Sequence, residues 1–135
     1  MQFSVVSLYM AALYVGATSA PGVGILGRAI STVPQGLLEW SHAPIYAGLC
    51  WVLIRALRGR GWPAPYALTA ASAMAFVFGI WMEIFQASVP DRTTSLEDLI
   101  HNGIGIGFAA ISMWHLYHSQ HKAKSETMTP LQPEY

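Results

Sequence analysis

The stretch EIFQASVPDRTTSLEDLIHNGIG, from Glu83 to Gly105, decides how the rest of the chain is interpreted. It lies between two long apolar runs, with no charged residue between Arg60 and Glu83 and none between Asp98 and Lys122. A carboxylate is costly to place in hydrocarbon, so Glu83 at the edge of an apolar run needs either a partner or a task. The stretch therefore predicts a polar site at the ends of two membrane helices.

The composition favours a protein embedded in lipid. The 135 residues are 53% hydrophobic and only 10% charged, and the mean hydropathy is +0.39. Soluble domains contain roughly 25% charged residues, so this chain has too little polar surface for a soluble fold of its size. The formal net charge is +0, and no basic face indicates nucleic-acid binding. The single cysteine, Cys50, excludes an intrachain disulfide.

Four apolar segments predict an all-α, polytopic membrane fold with four transmembrane helices. Each is long enough to cross a bilayer, and their predicted ranges are 2–20, 37–57, 65–88 and 96–117. A signal peptide is the alternative for the first segment, because Thr18-Ser19-Ala20 resembles a cleavage site. No Lys or Arg precedes that run, so we interpret it as a membrane helix. The glycine-rich segment 21–34 is expected to be a connecting loop.

Basic residues set the predicted orientation of these helices. Arg55, Arg58 and Arg60 lie in the short connection between the second and third spans, and the positive-inside rule places that loop in the cytoplasm. Residues 121–135 are predicted to be a polar cytoplasmic tail. The resulting protein has a membrane domain over residues 1–120, cytoplasmic termini and several passes through the inner (cytoplasmic) membrane.

This topology gathers polar side chains at the outer end of the bundle, where the second and fourth helices begin and the third ends. The candidate site residues are His42, Glu83, Gln86, Arg92, Asp98 and Asn102. In one interpretation they form a structural latch, in which Arg92 pairs with an acid and the amides bond across the hairpin. In the other they line a cavity for a lipid head group, where Arg92 binds phosphate and Glu83 acts as a base or sugar ligand. The sequence leaves both open.

Glycines of the fourth helix predict close helix packing, while metal and pigment ligation are weaker hypotheses. The small-residue spacing involves Gly103, Gly105 and Gly107. The one set that could form a zinc site consists of two histidines and two acids: His42, His101, Glu83 and Asp98. No two of these show a metal-motif spacing, so we expect no metal and no cofactor. The histidines at 115, 118 and 121 are interpreted as cations that suit a helix C-terminus.

The central stretch resembles the VanZ-like family of small membrane proteins. The family pattern is Glu-x-x-Gln, a Pro-x-Arg turn, an Asp, an Asn four residues later, and a glycine. The matching residues are Glu83, Gln86, Pro90, Arg92, Asp98, Asn102 and Gly105. His42 fits a histidine of the family's second helix, whereas Leu38 and Glu39 replace an Asp and a Lys. The resemblance implies a four-helix membrane fold and a role at the cell envelope, where the founding member is associated with teicoplanin resistance.

These observations lead to two functional hypotheses. The first is a VanZ-like envelope protein that binds a lipid or glycolipid head group, with catalysis left open and membrane lipid as its expected partner. The alternative is an accessory subunit of a larger respiratory or photosynthetic membrane complex, in which other subunits are the partners and the polar residues are only a latch. A transporter ranks third, because no repeat of broken helices is evident.

Overall fold

The computed structural model describes residues 2–92 and 95–127 of the chain, and over these residues the fold is entirely α-helical. The helices are α1 (Gln2–Thr18), α2 (Gly24–Ser31), α3 (Gln35–Arg58), α4 (Ala64–Gln86) and α5 (Leu96–Thr127). The predicted all-α class is confirmed. Among the described helices, α3 and α4 are the two that are long and apolar enough to cross a membrane, judged by length and composition. The four-span topology remains a prediction.

The segment 21–34, predicted to be a loop, contains the short helix α2, so this prediction was wrong. Its glycines do not prevent helix formation; they allow a tight turn before the helix and a close contact within it. Gly22 and Gly24 have positive φ angles of 77° and 67°, which form the turn that leads into α2. A Cβ on Gly27 would lie 3.2 Å from the carbonyl carbon of Ala20, so glycine allows α2 to pack against the chain leaving α1.

The last helix is longer than predicted, because α5 continues to Thr127 instead of ending at residue 117. The residues after 117 are polar but favour helix, and no glycine or proline occurs before Pro130. Loss of hydropathy therefore did not mark the end of the helix. The predicted tail 121–135 is helical as far as 127, and its remaining part lies outside the described residues.

Helix α3 is the centre of the bundle and packs against α1, α4 and α5. Its fully buried residues Leu49 and Ile54 belong to the same hydrophobic core as Ala71 and Ala75 of α4, which are also fully buried. Small residues spaced four apart allow two helices to approach closely. The hydroxyl of Tyr9 in α1 donates a hydrogen bond to the carbonyl of Ile45 in α3, at 2.8 Å. The helices that carry the polar residues are thus held in one packed group.

Arg58, at the end of α3, and Arg92, which follows α4, lie at opposite ends of the bundle. The Arg58 guanidinium lies 4.8 Å from the ring centroid of Tyr117, near the late part of α5. Arg92 follows α4 and donates from Nη2 to the carbonyl oxygen of Gly16, near the end of α1, at 3.0 Å. The end of α1, the start of α3, the end of α4 and the start of α5 therefore share one end.

Replacing Asp91 with valine is expected to lower the free energy of unfolding by about 1–2 kcal/mol. Asp91 has a φ of 60°, a left-handed conformation that a β-branched residue tolerates poorly. Asp91→Gly is the control, and its stability should stay within about 1 kcal/mol of the unchanged protein. Thermal unfolding in detergent measures both. Equal stability of the valine and glycine variants would show that backbone conformation at this turn does not limit the fold.

Candidate functional site

Three helices bring four polar side chains together, and we call His42, Glu83, Asp98 and Asn102 the polar cluster. His42 comes from α3, Glu83 from α4, and Asp98 and Asn102 from successive turns of α5. His42, Glu83 and Asp98 each place one potential ligand atom within 4.8 Å of the other two. His42 Nδ1 lies 3.8 Å from Glu83 Oε1 and 3.2 Å from Asn102 Oδ1. The packing of three helices, not local sequence, creates this cluster.

The polar cluster is deeply buried and incompletely satisfied. Asn102 is 0% exposed, Glu83 8% and Asp98 6%. Among the described residues, neither carboxylate oxygen of Glu83 accepts a hydrogen bond, and Asp98 Oδ1 accepts none. Buried carboxylates without donors destabilise a fold, and two of them close together also repel each other when ionised. The cluster therefore offers free acceptor atoms to a ligand.

Arg92 does not make the contact that the latch hypothesis predicted. Its guanidinium donates to the Gly16 carbonyl, and the described part of the chain shows no ion pair within 4 Å between Arg92 and Glu83 or Asp98. Asn102 contacts His42 instead of bonding with Gln86 across the hairpin. The residues of the predicted latch are near one another, but the described contacts join different partners, and neither acid pairs with Arg92.

A cavity of ≈ 370 Å³ adjoins the polar cluster. The predicted site residues among its lining are His42, Gln86, Arg92 and Asp98. A second cavity, of ≈ 270 Å³, is also lined by His42, Gln86 and Arg92 and extends towards Gly16 and Tyr46. Glu83 and Asn102 line neither cavity, in keeping with their deeper burial. The site is thus a polar recess whose wall carries the guanidinium of Arg92 together with the carboxylates of Glu39, Asp91 and Asp98.

Gly79 and Tyr46 support the polar cluster, and neither was predicted to do so. A Cβ on Gly79 would lie 2.9 Å from Asn102 Nδ2 and 3.1 Å from Tyr46 Cε1. Glycine at this position therefore lets both side chains approach α4. The Tyr46 ring stacks on the His42 ring, with centroids 6.3 Å apart. Sequence spacing could have indicated both residues. Gly79 precedes Glu83 by one helical turn and Tyr46 follows His42 by one turn, so each shares a helix face with a residue of the cluster.

Several other predicted residues have different roles from those expected. His101 packs on Trp40, with ring centroids 4.6 Å apart, and does not belong to the group of potential metal ligands. Of the three glycines predicted to pack helices, Gly105 alone is at a close contact, where an added Cβ would lie 2.8 Å from the carbonyl carbon of Ala43. A Cβ on Gly103 or Gly107 would meet no heavy atom within 4 Å, so the prediction was wrong for these two.

Comparisons of the chain with protein families, curated proteins and solved structures found no match. The resemblance of the central stretch to the VanZ-like family therefore stays a prediction from its motif.

Proposed function

We propose that the chain is a four-span, VanZ-like protein of the cytoplasmic membrane that binds a phosphate-bearing lipid or glycolipid head group in its outward-facing cavity. In this arrangement α1, α3, α4 and α5 cross the bilayer, and α2 lies at its outer surface. Both termini are then cytoplasmic. The site residues are those of the polar cluster together with Gln86 and Arg92.

The exposed surface of the bundle supports the four-span arrangement. Large apolar side chains are exposed along α4 and α5, among them Val77, Ile80, Ile84, Ile104, Phe108 and Ile111. Such a surface is unfavourable in water and suits contact with lipid. Helix α1 has 17 residues, which meets the lower limit of about 17 for a span. Helix α5 is longer, and the polar residues in its first turns lower its hydropathy where it adjoins the cavity.

The amphipathic character of α2 supports placing the cavity at the level of the lipid head groups. It exposes apolar side chains, including Ile25 at 90%, together with the cation Arg28. A short amphipathic helix of this kind typically lies in the membrane interface. The exposed Trp40 belongs to the same end, consistent with an interfacial aromatic residue. Because Ile30 and Ser31 line the larger cavity, its mouth would open where phosphates are abundant.

The observation that carries the proposal is the position of Arg92, which lines both cavities. A guanidinium has five donor hydrogens in a planar fork that matches phosphate oxygens. In the described residues one of these donors is used by the Gly16 carbonyl, and Nε is buried without an acceptor. Asp98 lines the larger cavity and has a free acceptor, which suits a hydroxyl of the same head group. The ligand class is therefore a head group that carries both phosphate and hydroxyls.

Replacing Arg92 with alanine is expected to weaken binding of dihexanoyl phosphatidylglycerol by about 10- to 100-fold, the equivalent of losing one or two charge-assisted hydrogen bonds. Arg92→Lys should retain part of the affinity, since it keeps the charge but not the fork. Binding of this short-chain lipid to the purified protein in detergent can be measured by titration calorimetry. Dihexanoyl phosphatidylcholine, which has no free hydroxyl, is expected to bind more weakly to the unchanged protein.

Arg55→Ala is the matched control, because Arg55 is exposed and lies at the opposite end of α3. This variant should bind the lipid as well as the unchanged protein does. Circular dichroism would establish that the Arg92 variants are folded. Equal loss of affinity in the Arg55 and Arg92 variants, or no saturable binding to the unchanged protein, would contradict a head-group site.

The accessory-subunit alternative has no specific support in the described residues. Its latch is also not formed as expected, because Arg92 contacts Gly16 instead of an acid. The head-group proposal accounts for the cavities and for the free donors and acceptors, so it is preferred.

A further inference from the structure

The geometry points to a site for a divalent transition metal, with His42 Nδ1 and the carboxylates of Glu83 and Asp98 as ligands and one coordination position open to the cavity. This inference goes beyond head-group binding and does not rest on it. The sequence predicted no metal, because ligands from three helices leave no spacing signature. The packed structure supplies the proximity that the sequence could not show.

The three groups are near the separations that a metal requires. In a tetrahedral site with metal–ligand bonds of about 2.0–2.2 Å, neighbouring ligand atoms lie about 3.4 Å apart. His42 Nδ1 and Glu83 Oε1 are 3.8 Å apart, and the whole set lies within 4.8 Å. To reach that spacing, the His42 and Glu83 atoms would have to approach by about 0.4 Å, and no pair in the set by more than about 1.4 Å. Asn102 Oδ1 accepts a hydrogen bond from His42 Nδ1 at 3.2 Å. A metal bound at Nδ1 would replace this hydrogen bond, and the released Asn102 oxygen would then be near enough to join the ligand set.

The free carboxylate oxygens are the independent reason to place a cation here. Glu83 and Asp98 are more than nine-tenths buried, and three of their four oxygens lack hydrogen-bond donors in the described structure. Arg92 does not pair with either acid within 4 Å, since its described hydrogen bond goes to Gly16. A protonated His42 would offset one negative charge and leave the other. A divalent cation offsets both charges and binds carboxylate oxygens that accept no hydrogen bond in the described structure.

The ligand types select the class of metal. One imidazole nitrogen with two carboxylates suits zinc and other first-row divalent ions, whereas magnesium and calcium prefer all-oxygen sites. His42 and Asp98 both line the larger cavity, while Glu83 lies behind it. A metal held by these three side chains would therefore have its remaining position towards the cavity, the arrangement of sites that bind water or a substrate.

The test is zinc binding to the full-length protein, purified in detergent and stripped of metal with a chelator. We expect one zinc ion per chain, measured by elemental analysis after desalting and by titration calorimetry. Glu83→Gln and Asp98→Asn should each weaken zinc binding by at least about 100-fold, because each removes a ligand charge. Excess magnesium should not displace the zinc. Arg92→Ala should keep its zinc, which separates failure of this inference from failure of head-group binding.

Two controls exclude other sources of zinc binding. Glu97 neighbours Asp98 in the first turn of α5 but is exposed, so Glu97→Gln should leave the affinity unchanged. The histidines at 115, 118 and 121 are other potential zinc ligands in the sequence, and their replacement together by asparagine should also leave one zinc bound. The inference is overturned if the triple variant loses the zinc, if the folded Glu83 and Asp98 variants keep it, or if the unchanged protein binds none.

Discussion

A protein with Gly105 replaced by alanine is expected to lose about 3 kcal/mol or more of its free energy of unfolding. The added Cβ would lie 2.8 Å from the carbonyl carbon of Ala43 and 3.0 Å from its Cα, so α5 would collide with the backbone of α3. Backbone cannot rotate away as a side chain does, and the two helices would have to separate. Thermal or denaturant unfolding in detergent measures the loss. The same separation would move Asp98 away from His42 and weaken zinc binding.

Gly103 and Gly107 supply the matched controls for this experiment. Both are on α5, one helical half-turn from Gly105, and an added Cβ would meet nothing within 4 Å at either position. Alanine there removes the conformational freedom of a helical glycine, so Gly103→Ala and Gly107→Ala should be neutral or stabilising by about 0.5–1 kcal/mol. Similar unfolding midpoints for all three variants would mean that the close contact between α3 and α5 does not determine stability.

In the presence of a chelator, Glu83→Gln is expected to stabilise the protein by about 1–3 kcal/mol, as often happens when a poorly satisfied buried ionic group is replaced by a neutral one of similar shape. The substitution removes one of two neighbouring buried carboxylates. With saturating zinc the order should reverse, because binding to the native state stabilises the unchanged protein and not the variant. Thermal unfolding with chelator and with zinc provides both comparisons.

Glu97→Gln again serves as the control, because replacing this exposed acid should change stability by no more than about 0.5 kcal/mol under either condition.

Destabilisation by Glu83→Gln, the opposite of the expected result, would also be informative. A strong loss of stability in the chelator-treated Glu83→Gln protein would mean that the carboxylate holds the helices together. The polar cluster would then be a structural latch. The proposed metal site would be wrong, and so would the interpretation that the carboxylate oxygens are available to a ligand.

The sequence was sufficient for the all-α fold and for the main helices, because long apolar runs leave few other arrangements for the backbone. It failed where local composition misled. The glycines before and within α2 were interpreted as helix breakers, but they serve a turn and a close contact with Ala20. The polar residues after 117 were interpreted as a tail, although their intrinsic preference is helical and α5 continues through them.

The residues of the site were easier to predict than their partners. Charge and polarity in an apolar chain identify Glu83, Arg92 and Asp98 directly, since each needs a reason to be there. Which atoms meet depends on the rotation and depth of three packed helices, and sequence spacing within one helix does not contain that information. The pairing of Arg92 with Gly16 and the support of Asn102 by Gly79 are consequences of such packing.

The position of α2 has a consequence for how the protein would respond to its surroundings. This helix exposes its apolar side chains and packs less extensively against the other described helices than they pack against one another, yet its last residues line the larger cavity. Binding of amphipathic helices depends on membrane curvature and on defects in lipid packing. In the proposed membrane arrangement, we therefore expect the physical state of the bilayer to set how far the recess opens.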